Sequence, residues 1–270
     1  MSATLFVVAT PIGNLEDITL RALRVLREVT LVAAEDTRRT AQLLARHGIT
    51  TATTSLHEHN EHRKTASLLE RLRQGESIAL VSDAGTPTVS DPGAALIRGA
   101  VEAGIRVEPV PGPNAAVAAL SVSGLLTDSF TFLGFPPTRS KDRKFWFAKV
   151  RNAGGVVIFY EAPHRIHSTL TELLGVVGDR PAIVGRELTK IHEQLVRGPI
   201  STLIQQLTTV KGEMTVIVDV GEARRNEPEI GLMIENSRSG KRQTIAALAK
   251  QVGVAPNDLY NAIERLKNIG

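Results

Sequence analysis

Short runs that are apolar on both faces, each followed by an amphipathic helical stretch, recur through the first half of this chain and leave few folds open to it. The runs are 5–9, 31–34, 77–81 and 106–110, and the helical stretches are 20–27, 37–46, 63–74 and 94–103. Leu20, Leu23 and Leu26 fall on one face of the first helix. A strand without a polar face needs cover on both sides, so the pattern predicts a parallel sheet between helical layers. A helix from about 114 leads into 131–135, and a second α/β region follows. It has strands at 156–160, 182–185, 193–197 and 215–220, and helices near 141–151, 163–174 and 200–207. The change of pattern near 115–130 has no linker composition, which predicts two closely packed lobes, 1–115 and 116–222.

Beyond 222 the strand pattern stops. The segment 223–270 gathers Arg224, Arg225, Arg238, Lys241 and Arg242. Helical stretches at 244–249 and 258–267 flank the turn Val252-Gly253-Val254, a helix-turn-helix arrangement. Two readings stand side by side: a nucleic-acid contact, or a helical cap on the second lobe.

Composition narrows the partners. The absence of cysteine excludes disulfides and thiolate zinc sites. Residues 1–10 lack the basic flank and cleavage site of a signal peptide, and no apolar run approaches the ~20 residues of a membrane span. A cytoplasmic protein without a membrane partner is expected. A net charge of +4 with a pI near 9.6 leans towards an anionic partner. Aromatics make up only 4% of the chain, so phosphate contacts and shape, rather than base stacking, would carry binding to RNA.

Ligands of open α/β sheets sit beyond the carboxyl ends of the strands. Thr10-Pro11-Ile12-Gly13-Asn14 follows the first strand and brings backbone close to whatever lies above the sheet, while Asp17 and Thr19 read as helix-capping groups. The segment 82–93 holds two prolines, two glycines and two aspartates, and is too long and rigid for an ordinary connection. Pro111-Gly112-Pro113-Asn114-Ala115-Ala116 leaves room for a flat ligand at a helix start, with Asn114 as an N-cap the competing account.

Six segments in order, 8–19, 34–38, 80–87, 110–116, 159–165 and 185–190, resemble the ribosomal-RNA cytidine 2′-O-methyltransferase branch of the tetrapyrrole methylase superfamily. The resemblance spans about 4–222, and the tail is similar to that branch's C-terminal extension. It implies a two-lobed class III methyltransferase fold with a small C-terminal helical region. It implies a homodimer, with S-adenosylmethionine held between the lobes and the small subunit's 16S ribosomal RNA as partner. Ile12, Val89, Asn114, Ala115, Tyr160, Glu161, Leu188 and Met214 match cofactor contacts. Gly85-Thr86-Pro87 corresponds to the superfamily's Gly-Asp-Pro loop. Threonine stands here in place of aspartate, so Asp83 or the amides of Ala84, Gly85 and Thr86 take over that contact.

Methyl transfer from a sulfonium is an in-line displacement, largely a positioning task, and a ribose hydroxyl needs a base beside it. Glu35, Asp36, Arg38 and Arg39 follow the second strand at the rim. Asp36 is the chosen base and Arg38 the phosphate or oxyanion partner, against an equal alternative in which Asp36 pairs with Arg38 or Arg39 to fix the loop. His57 and Glu58 are secondary acid–base candidates. The spacing of their cluster, 57–62, is open to metal binding but is not the His-Glu-x-x-His helical pattern, so a solvated substrate loop is the preferred reading and no metal is expected. Arg186, Glu187 and Lys190 read as cleft floor or ion-pair network. Two rivals remain: a tetrapyrrole or other small molecule as the methyl acceptor, and a non-catalytic RNA-binding assembly factor.

Overall fold

The computed structural model describes residues 3–125, 128–208 and 211–222, with Ile245, Ala246, Ala249, Pro256, Asn257, Leu259, Tyr260 and Asn261 beyond them. Two five-stranded sheets form its frame. The first is built from β1 (Thr4–Val8), β2 (Leu31–Ala34), β3 (Thr53–Ser55), β4 (Ile78–Val81) and β5 (Arg106–Val110). Its order is β3-β2-β4-β1-β5, and every pairing is parallel. The period of two explains the layers. Leu31, Ala33, Ile78 and Leu80 bury on one face, and Val32, Ala34, Ala79 and Val81 on the other. Helices α1 (Leu20–Glu28) and α2 (Thr37–Arg46) contribute to the second of these clusters. Helices α3 (Glu61–Arg73) and α4 (Ala94–Glu102) contribute to the first. Strand β3 is absent from the sequence reading: it is three half-buried polar residues at the sheet edge, without an apolar run to announce it.

The second sheet comprises β6 (Phe130–Phe132), β7 (Val156–Glu161), β8 (Pro181–Arg186), β9 (Gln194–Pro199) and β10 (Met214–Asp219), in the order β6-β7-β10-β8-β9. Only β6 and β7 run parallel; the other neighbours are antiparallel. Val157, Phe159, Val184, Val216 and Val218 face a core with α6 (Ser140–Ala153), α7 (Ile166–Val177) and α8 (Ile200–Gln206). Val156, Ile158, Ile183 and Ile217 face the other way, onto α5 (Ala115–Ser121) through Ala116 and Ala119. Burying one such aliphatic side chain is worth roughly 1.5–3 kcal/mol.

The helix-turn-helix expected within 223–270 lies mostly outside the described residues. Of those described, Ile245, Ala249 and Leu259 are helical and buried. Among the described residues, no helix is long and apolar enough to cross a membrane.

Candidate active site

Three strand ends of the first sheet are tied together above it. Beyond β1 and β4 the chain makes one more rung, of antiparallel sense: Thr10 and Gly85 exchange both backbone bonds, at 2.9 and 3.0 Å. The Thr10 hydroxyl donates to the Ser82 carbonyl at 3.1 Å, and the Thr86 hydroxyl to the Pro113 carbonyl at 3.1 Å. The loop between β4 and α4 has Gly85 at φ +85° and Thr88 and Ser90 both at +69°. Left-handed backbone costs a non-glycine residue about 1–3 kcal/mol and clusters at functional sites. Asn114 caps α5, its side chain accepting from the amides of Ala116 at 3.1 Å and Val117 at 3.2 Å.

These loops form one wall of a cleft of about 280 Å³, and the second lobe closes it. Ile12, Ala84, Gly85, Thr86, Val89, Asn114 and Ala115 line the first side. Phe135, Tyr160, Met214 and Thr215 line the other. Tyr160 and Thr215 are register partners on β7 and β10, so the pleat that buries Ile158 and Ile217 against α5 turns this pair to the same face. Phe132 and Phe135 pack on Tyr160, with centroids at 5.0 and 5.4 Å. Leu188 stands apart from the other cofactor candidates: it is outside the cleft lining and packs against Gly185, in the same cluster as Tyr160.

The floor is acidic. Glu35, Asp83 and Asp91 all line the cleft. The Asp91 carboxyl is pushed up to about 6 by burial and the neighbouring charge of Glu35; a hydrogen bond with Ser82 opposes this and Asp83 adds to it. Glu35 is also raised, chiefly by burial, against a hydrogen bond from the Asp83 amide. Asp83 braces two strand ends by accepting the Asp36 amide at 2.8 Å. In the sequence Asp91 was only one polar residue of a rigid loop. Its environment comes from Glu35, brought over from the end of β2.

Asp36 sits elsewhere. It is the N-cap of α2, accepts the Arg38 amide at 2.9 Å, and holds the Arg38 guanidinium by bonds of 3.0 and 2.7 Å. The Arg38 hydrogen bonds pull its carboxyl down to about 2. That is the loop-fixing arrangement, with Arg38 rather than Arg39 as partner, and neither Asp36 nor Arg38 lines the cleft. His57 and Glu58 are also outside the lining. His57 is held by Asn60, and Glu61 of the same cluster accepts the amides of Gly93 at 2.9 Å and Ala95 at 3.1 Å, at the start of α4.

Glu161 borders the cleft, yet its carboxylate is buried and engaged within the second lobe. It accepts from the Ala162 amide at 2.7 Å and the Thr169 hydroxyl, and pairs with Arg165 at 2.7 Å. Arg165 also donates to the Pro136 carbonyl at 3.2 Å, beside Phe135. Lys190 bridges Glu187 and Glu213, each at 2.9 Å, and Arg186 reaches Gln194 at 3.3 Å, which is an ion-pair and hydrogen-bond network. The Thr189 hydroxyl accepts the Asn14 amide at 3.0 Å and clasps the two lobes together.

Residues 4–204 match the family model described as tetrapyrrole (corrin/porphyrin) methylases. The chain is 51% identical over 220 residues to a ribosomal RNA small subunit methyltransferase I of Xylella fastidiosa, covering 80% of this chain and 81% of the relative. With the protein of the same name from Pseudomonas aeruginosa it shares 44% over 278 residues, covering 98% and 99%. Uroporphyrin-III C-methyltransferase from Thermus thermophilus, solved with S-adenosyl homocysteine, superposes with a TM-score of 0.57 at 17% identity, over 81% of this chain and 98% of that one.

Proposed function

The chain belongs to the tetrapyrrole (corrin/porphyrin) methylase family, and we propose that it is an S-adenosylmethionine-dependent methyltransferase of small-subunit ribosomal RNA. The finer reading is methylation of a cytidine ribose 2′-hydroxyl in 16S RNA, by a cytoplasmic homodimer whose lobes, 1–115 and 116–222, meet at the cleft. The observation that carries the reading is the cleft itself: a carboxylate floor beneath apolar and aromatic walls, in a chain whose relatives of nearly equal length are named for this RNA.

The donor set fits the cofactor. Glu35, Asp83 and Asp91 suit a sulfonium cation, while Ile12, Val89, Met214 and the Phe135–Tyr160 pair suit a nucleoside face. Gly85 and Ala115 keep the walls low, and about 280 Å³ lies near the lower end of small-ligand sites, which run from ~300 Å³ upwards. When bound, S-adenosylmethionine supplies the electrophilic methyl group.

The residues supply orientation and a base. A carboxylate near 6 is ionised at neutral pH yet basic enough to accept a proton as a hydroxyl attacks, which makes Asp91 a better base than Asp36, held near 2. Asp91 takes the ribose hydroxyl proton, Glu35 and Asp83 set the field around it, and Asp36 positions the β2–α2 loop. The Glu161–Arg165 pair holds the Phe135 wall in place.

The test supplies S-adenosylmethionine with a labelled methyl group to the protein, together with small ribosomal subunits or a porphyrinoid acceptor. Label recovered in an alkali-resistant dinucleotide of 16S RNA is the expected result. Label in the porphyrinoid alone overturns the reading.

A further inference from the structure

Beside the cleft lie two more depressions, and the three share walls. A pocket of about 180 Å³ has Thr10, Pro11, Gln42 and Leu43 among its walls and shares Arg39 and Asp83 with the cleft. An open groove of about 840 Å³ shares Leu15 with that pocket and carries Arg46, His47, Lys190 and His192. Arg39, Gln42 and Arg46 are successive residues of one face of α2, spaced three and four apart, and Arg39 and Arg46 stand about 10 Å apart along its axis.

Charge defines what fits this row. The cleft lining carries Glu35, Asp83, Asp91, Glu161 and Glu213, and Arg39 is its single cation among the described residues. A polyanion entering an acidic cleft needs a counter-charge at the rim. Arg39 is loosely engaged, 3.5 Å from Asp83 with its side chain 62% exposed, whereas Arg38 beside it is locked onto Asp36 by two bonds.

We propose that the three depressions are one track for a single RNA strand, along which α2 lays the nucleotides flanking the methylated one. Arg39 takes the phosphate between the cleft and the middle pocket, and Arg46 takes a phosphate further along, in the open groove. Gln42 meets the sugar or base edge between them. The inference rests on the function proposed above and adds to it the side from which the strand enters.

The test uses the full chain with a 16S transcript and with assembled small subunits. Arg39→Ala and Arg46→Ala should each raise the KM for RNA roughly 5–20-fold and flatten the logarithmic salt dependence of RNA binding by about one phosphate contact. Affinity for S-adenosylmethionine should stay within about twofold of wild type, which also shows that the variants fold. Arg39→Lys should keep the salt slope, and Arg24→Ala, on the exposed face of α1 and paired with Glu28, should change nothing. Wild-type KM and slope in both arginine variants, with RNA methylation intact, would overturn the track alone. A wild-type protein that methylates no RNA would remove the parent reading and the track with it.

Discussion

Replacing Asp91 with asparagine should make the protein more stable and nearly inactive. In the folded chain Asp91 keeps its proton up to about pH 6, against an ordinary value of 3.8. Stability therefore falls as pH rises from about 4 to 6 and stays reduced above that, because the ionised carboxylate is tolerated worse in the cleft floor than in the unfolded chain. At 1.36 kcal/mol per tenfold, the displacement has a ceiling of about 3 kcal/mol. Asp91 is only half-buried, and solvent screening brings this to about 1–2 kcal/mol. Asparagine keeps the shape without the charge. In urea unfolding, Asp91→Asn should exceed wild type by about 1–2 kcal/mol at pH 8, by about half of that near pH 5, and by almost nothing at pH 4. Turnover should drop roughly 10²–10⁴-fold, and the wild-type rise of kcat/KM through about pH 6 should vanish from the residual activity. A stability gap that does not change with pH, or a variant as active as wild type, would refute the argument.

Further outcomes follow from the other contacts. Asp36→Asn should keep both the α2 cap and at least half of the turnover, whereas Asp36→Ala, which loses the cap, should lower the urea midpoint; an inactive, well-folded Asp36→Asn would return the base to that position. Arg165→Met strands the buried Glu161 carboxylate and should destabilise by about 3–5 kcal/mol, visible as a lowered denaturation midpoint. Gly85→Ala has space, since its Cβ would lie 3.5 Å from Ile12, but the φ of +85° should cost about 1–2 kcal/mol and weaken S-adenosylmethionine binding in calorimetry.

The frame was legible because burial repeats with a fixed period. Leu31 to Ala34 and Ile78 to Val81 are buried throughout, and a strand of that composition needs cover on both faces. Thr53 to Ser55 escaped because an edge strand held by β2 needs no apolar signature. The cleft loops were visible as Pro/Gly-rich strand ends. Which charged groups they turn inward was not. Arg38 and Arg39 are adjacent in sequence, and only the capping of α2 by Asp36 decides that the first folds back onto the cap while the second reaches the cleft. Phe135 was only the last residue of the segment 131–135, and nothing in the sequence foretold its packing on Tyr160, next to the Arg165–Pro136 contact.

The extra rung between Thr10 and Gly85 has a kinetic corollary. Two strands that run parallel in the sheet are buttoned by a reversed pair of amides just where they leave it. The two loops therefore cannot swing independently, and a ligand that settles on them finds a platform already rigid. Amide hydrogens of Thr10 and Gly85 should exchange with deuterium as slowly as those inside β1, with or without ligand, so any breathing that admits the donor belongs to the opposite wall.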